Sequence, residues 1–210
     1  MLTLAAATFL TACGDDEPSS DANERAGTYQ LDVLNADFPT EQRLGKTSLL
    51  RLGARNTGEK IIPALTVTIS IAGEEGQNSS LPFAIRDPQP GLAQPNRPVW
   101  VLAARYPKRS SDSAPGGAET SNQKTFDFGP LKPGHAIEAV WKLTAVRTGD
   151  FELLYQVGAG LSDEVKTETS RGVEPGGTIG VEISSKTPNT IVTDSGEVVE
   201  IPNDKQHDGG

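Results

Sequence analysis

Between positions 61 and 71 every odd residue is apolar: Ile61, Pro63, Leu65, Val67, Ile69 and Ile71. The even positions past Ala64 are Thr66, Thr68 and Ser70. A period of two gives one buried and one wet face, so this segment predicts a strand. Ile137, Ala139, Trp141, Leu143 and Ala145 repeat the pattern against Glu138, Lys142 and Thr144. Phe151, Leu153, Tyr155 and Val157 do so again, as do Ile179, Val181 and Ile183, with a shorter copy at Tyr29, Leu31 and Val33. Leu49 to Ala54 is compatible with a strand, Val99 to Ala104 is apolar on both faces as a buried strand would be, and Phe126 and Phe128 mark another.

The punctuation between these segments is that of turns. Asn56-Thr57-Gly58 and Thr148-Gly149-Asp150 each predict a hairpin joining the strands on either side. Lys132-Pro133-Gly134 places a fixed φ beside a residue free to take a positive one. Asp194-Ser195-Gly196 predicts a small terminal hairpin. No segment carries a helical stripe. The expectation is an all-β protein: an antiparallel immunoglobulin-like β-sandwich of seven to nine strands with long Pro/Gly-rich loops. The body is placed at residues 28–186, with a terminal hairpin and acidic tail over 187–210.

Leu50 to Gly58, a Pro63-containing strand, Gly129-Pro-Leu-Lys-Pro-Gly134, the Trp141 strand and Gly149-Asp-Phe151 follow one another in this order. The series resembles bacterial extracellular immunoglobulin-like modules of the CARDB kind, and is similar to actinobacterial lipoproteins holding one such domain. The resemblance covers about 48–72 and 126–158, and departs from the family by a long insertion at 73–123. It implies adhesion, display or protein interaction, and it supplies no catalytic residues.

Charge narrows the partners. The 210 residues carry a net charge of -9, which argues against a nucleic-acid partner, since that requires a basic face against phosphate. The acidity sits at the ends, in residues 1–25 and 194–210, and leaves the body nearly neutral. A single Cys excludes a disulfide framework or a Cys-rich zinc site.

That Cys ends an apolar run. Leu2 to Leu10 is too short to span a membrane, and Leu10-Thr11-Ala12-Cys13 resembles the lipobox of bacterial lipoproteins. The resemblance implies a lipoprotein signal peptide over 1–12 and a diacylglycerol on the thiol of Cys13. No Lys or Arg precedes Cys13, which departs from the usual leader, and the leader is expected to be truncated at Met1. Residues 13–27 then read as an acidic, disordered tether. Near an anionic bilayer its charge would hold the body off the surface.

Candidate chemistry is sparse. The Gly172 to Gly180 segment is Gly-rich, but a strand follows it where a phosphate loop needs a helix, so it reads as a turn. His135 and His207 are distant from one another, and with one Cys they do not make a copper or zinc site. The chain has no Gly-x-Ser-x-Gly, and Ser110, Ser111 and Ser113 lie in a Gly/Ser/Pro loop. No enzyme, metal or cofactor is therefore expected.

Gly73 to Pro98 is the informative irregularity. Five prolines alternate with Phe83, Ile85 and Leu92, and a loop of this length in a compact domain calls for a role. One reading is a flap over an open sheet edge; the other is a partner-contacting loop in which Phe83, Arg86 and Arg97 anchor the contact. The functional expectation is a non-enzymatic, lipid-anchored extracytoplasmic sandwich on the outer face of the bacterial cytoplasmic membrane, engaging a protein or cell-wall partner. The alternative is a protease-inhibitor-like or small-ligand-binding lipoprotein.

Overall fold

A computed structural model describes residues 25–73, 83–85, 98–110, 118–119, 124–162, 164–185, 190–194, 196 and 198–200. The described residues form fifteen strands and no helix: β1 (Gly27–Asp37), β2 (Glu41–Arg43), β3 (Thr47–Asn56), β4 (Thr66–Ile71), β5 (Phe83–Ile85), β6 (Trp100–Leu102), β7 (Lys108–Arg109), β8 (Ala118–Glu119), β9 (Thr125–Asp127), β10 (Ala136–Ala145), β11 (Gly149–Gly158), β12 (Val165–Glu168), β13 (Gly176–Ser184), β14 (Thr190–Val192) and β15 (Val198–Glu200).

One sheet runs β12-β1-β3-β10-β6-β5, with β7 also on β10; the other runs β2-β13-β11-β4-β9-β8; β14 and β15 form a separate ribbon. Seven strands carry the frame. In chain order β1, β3, β4, β6, β10, β11 and β13 occupy the places A to G of an immunoglobulin sandwich. The first sheet pairs A-B-E-D and the second C-F-G, the constant-type order. The remaining sheet strands are short additions in the connections, which is why the total exceeds the seven to nine expected. Pairing within the frame is antiparallel. Three of the additions instead pair in parallel: β12 on β1, β2 on β13 and β5 on β6.

Parity along the long strands sets the core. Leu50, Leu52, Ala54, Ala139, Trp141 and Leu143 of the first sheet face Val67, Ile69, Ile71, Leu153, Val157, Val181 and Ile183 of the second, all buried. Burying each of the larger aliphatic side chains stabilises by about 1.5–3 kcal/mol. Aromatic rings make a continuous chain through the middle. Phe128 and Phe126 meet the Trp141 ring edge-on at 5.5 and 5.9 Å, Phe126 reaches Phe83 at 6.4 Å, and Phe83 reaches Trp100 at 6.5 Å.

Three local expectations are corrected. Thr148-Gly149-Asp150 does not close a hairpin: β10 lies in the first sheet and β11 in the second, so the turn carries the chain across the sandwich. Gly149 makes the jump at φ +136, a conformation that side-chain-bearing residues rarely adopt. Asn56-Thr57-Gly58 likewise leads from one sheet to the other. Regular alternation begins only at Thr66, because residues 57–65 are this crossover; Ile61 is therefore 56% exposed, while Ile62 is buried and bridges Leu131. The Lys132-Pro133-Gly134 turn has Gly134 at φ +73, and the terminal hairpin forms as β14 with β15.

Candidate functional site

Cys13, Arg86 and Arg97 lie outside the described residues, as do the 1–12 leader and all of the 13–27 tether except residues 25–27. Phe83 is described and is 3% exposed. It starts β5, which adds an edge strand beyond β6 in register Phe83 to Trp100. Its ring lies between Trp100 and Phe126, so its area is spent on the core.

A surface the sequence reading did not single out forms at the end of the sandwich where the described chain starts. Here the beginning of β1 and the ends of the 57–65 and 129–135 crossovers meet. Asn56 organises them from a buried position. Its side-chain Nδ2 donates to the carbonyls of Lys60 (2.8 Å) and Leu131 (2.9 Å), and its Oδ1 accepts from the Gly58 N–H at 3.0 Å. Its backbone N–H donates to His135 O and its carbonyl accepts from the Gly134 N–H. A short amide side chain that reaches two strands of backbone is what an Asn at a turn supplies.

The Lys60 and Ile61 side chains project from this scaffold. A depression of about 660 Å³ is lined by Arg25, Ala26, Tyr29, Lys60, Ile61 and Pro63. The Tyr29 hydroxyl donates to the Arg25 carbonyl at 2.9 Å, and Lys60 Nζ stands 5.9 Å from the Tyr29 ring centroid. Arg55, whose Nε donates to Gly134 O, and Lys132 are exposed on the same end. The surface is cationic around an apolar floor. The only hint of it in the sequence was Asn56-Thr57-Gly58, read above as a simple hairpin.

A second concavity, about 710 Å³, lies between the outer face of the second sheet and the 160–175 segment. Thr66, Thr68, Thr125 and Gln156 line its floor, and Val173 and Pro175 its far wall. The hydroxyls of Thr68 and Thr125 are 2.8 Å apart. Gly158 allows the close fit, since a Cβ there would lie 2.5 Å from Thr66 Oγ1. The floor offers neutral donors and acceptors to a polar ligand, and Lys166, Glu168 and Glu174 complete the lining.

Among the described residues no three His, Cys, Asp or Glu side chains gather where they could hold a metal ion. His135 is exposed on its turn, its Nδ1 3.0 Å from Pro133 O. Among the described residues Tyr155 has a displaced pKa: burial pushes its phenol above the ordinary value of 10.0.

No protein-family model and no curated protein matches the chain. Among solved structures, the chain is similar to the CARDB domain of the PF1109 protein from Pyrococcus furiosus, in complex with di-metal ions. Identity is 13%, the match covers 75% of this chain and 96% of that one, and the TM-score is 0.43. It is similar also to a cohesin module from a Clostridium perfringens family 33 glycoside hydrolase, at 12% identity, 75% and 99% coverage and a TM-score of 0.42. A third is AvmM, which catalyzes macrocyclization in alchivemycin A biosynthesis, at 12% identity, 75% and 91% coverage and a TM-score of 0.40. At these scores none of the likenesses carries an argument about this chain, and the sandwich rests on its own strand pairing.

Proposed function

We propose that this protein is a non-enzymatic, lipid-anchored immunoglobulin-like module on the outer face of the bacterial cytoplasmic membrane, engaging a protein or cell-envelope partner. The observation that carries the reading is the placement of the one cysteine: it closes Leu10-Thr11-Ala12-Cys13, a polar acidic stretch follows, and the first strand begins at Gly27. An acyl anchor, a spacer and a folded body are thus laid out in order. A diacylglycerol supplies the two chains that stable attachment requires. The described concavities support the interaction part, being open and lined by hydroxyls, an amide, cations and two carboxylates on a rigid two-sheet frame.

The test is acyl labelling with membrane fractionation of the gene product expressed with its complete leader. Label and membrane recovery are both expected to vanish in Cys13→Ala. A Cys13→Ala chain that keeps both overturns the anchor. The groove over Thr66, Thr68 and Gln156 favours a second reading, capture of a small polar ligand. Calorimetric titration with neutral oligosaccharides and short uncharged peptides separates it from the first.

A further inference from the structure

We infer that the sandwich end carrying Arg25, Arg55, Lys60, Ile61 and Lys132 rests against an anionic phospholipid surface. The inference builds on the proposed anchor at Cys13 and specifies what the anchored body touches. Four observations converge on it.

The first is where the tether arrives. The described chain opens at Arg25, which itself lines the depression at this end. Residues 14–24 separate it from Cys13, and the twelve steps between the two span at most roughly 40 Å. Strand β1 then runs from Gly27 to Asp37, roughly 35 Å at the usual rise, so the opposite end stands a full strand further from the anchor.

The second is charge. Arg25, Arg55, Lys60 and Lys132 are all exposed here, on a chain whose net charge is -9. The acids at this end are Glu59, Glu164 and Glu168, of which Glu59 and Glu168 line a neighbouring depression with Lys60. The far end mixes exposed Asp37, Glu41, Asp150 and Glu182 with Arg43, Lys46 and Arg147. Cations near an anionic leaflet are attracted within a Debye length. Tether residues Asp15, Asp16, Glu17, Asp21 and Glu24 are repelled by the same headgroups and oppose the contact, so the cationic end must outweigh the tether. Salt weakens the attraction of the cations and so releases the contact.

The third is the apolar tip. Ile61 is 56% exposed and Pro63 lies beside it in the depression, flanked by Lys60. An exposed aliphatic group ringed by cations suits a headgroup layer with hydrocarbon beneath it. A soluble polyanion would use the cations and leave Ile61 without a partner. The fourth is rigidity: the hydrogen bonds of Asn56 hold the Lys60 and Leu131 backbones in place, so the cations are displayed on a preformed surface.

The lone cysteine lets the contact be tested without cellular lipidation. The purified full chain is coupled through Cys13 to a maleimide-headgroup lipid. The vesicles are phosphatidylcholine alone, or phosphatidylcholine with 40% phosphatidylglycerol. Acetylation of each lysine is then followed by mass spectrometry. Lys60 and Lys132 are expected to react about five-fold more slowly on the anionic vesicles in 50 mM salt, and to recover in 0.5 M salt. Lys142, on the outer face of β10, is expected to react equally on both. Equal reactivity of Lys60 and Lys132 on the two vesicle types overturns the proposal. Protection by soluble polyglycerol phosphate without protection on the anionic vesicles overturns it too, in favour of a wall polymer. Because the anchor is supplied chemically, a failure of acyl labelling in cells leaves this result standing, and the two ideas fall separately.

Discussion

The Asn56 side-chain nitrogen donates to the Leu131 carbonyl at 2.9 Å, joining residues 75 positions apart in a fully buried hydrogen bond. The same nitrogen serves Lys60 O, so one side chain holds two crossovers of the sandwich together. Replacing it by alanine removes three hydrogen bonds, the two it donates and the one its Oδ1 accepts from the Gly58 N–H, each worth about 0.5–1.5 kcal/mol net, while the Leu131 carbonyl keeps the Ile62 N–H as a donor. Asn56→Ala is expected to lower the unfolding free energy by ~2–4 kcal/mol in urea denaturation. A loss below about 0.5 kcal/mol contradicts this account.

The two tryptophans predict a contrast. Trp100 Nε1 donates to Gln42 Oε1 at 2.9 Å, whereas Trp141 Nε1 is buried without a partner. Trp100→Phe therefore orphans a buried acceptor, while Trp141→Phe removes an unpaired donor. Both lose ring volume. Trp100→Phe is expected to cost at least ~1 kcal/mol more than Trp141→Phe, and Trp141→Ala about 3–5 kcal/mol. Guanidinium melts of the three variants check the order.

Phe83 tests the role of the long insertion. Its ring is buried between Trp100 and Phe126, and aromatic-to-small changes at such sites cost about 3–5 kcal/mol. At roughly 2–4 °C per kcal/mol for a chain of this size, Phe83→Ser is expected to lower Tm by ~6 °C or more. An unchanged Tm means the side chain does not secure the edge strand.

Tyr155 gives a pH signature. Burial raises its phenol pKa above 10.0, so the neutral form is favoured in the folded state. Below pH 10 both folded and unfolded chains hold the proton and nothing is lost. As pH rises from 10 through the folded value, the unfolded chain ionises first and stability falls. Ultraviolet titration is expected to show one of the three tyrosines ionising late. Tyr155→Phe is expected to remove that step and flatten the loss of stability over the same range.

Much of this architecture was legible along the chain. Period-two alternation placed Trp141, Leu143, Leu153, Val181 and Ile183 on buried faces, and all five are buried, because side chains on a strand alternate by geometry alone. The Pro133-Gly134 turn and the terminal hairpin followed from residues whose φ preferences are local. Partner choice did not follow. Strands β10 and β11 carry the pattern of a hairpin pair, yet each joins a different sheet. Alternation says which face is dry; in a sandwich both sheets bury a face against the other, so the pattern is the same whichever sheet a strand joins. The inversion at Ile61 and Ile62 has the same origin, since the chain was bending between sheets where its pattern imitated a strand. The cationic end is decided by the fold in the fullest sense: Arg25, Arg55, Lys60 and Lys132 are scattered along the sequence, and only the crossover tied by Asn56 brings their segments to one surface.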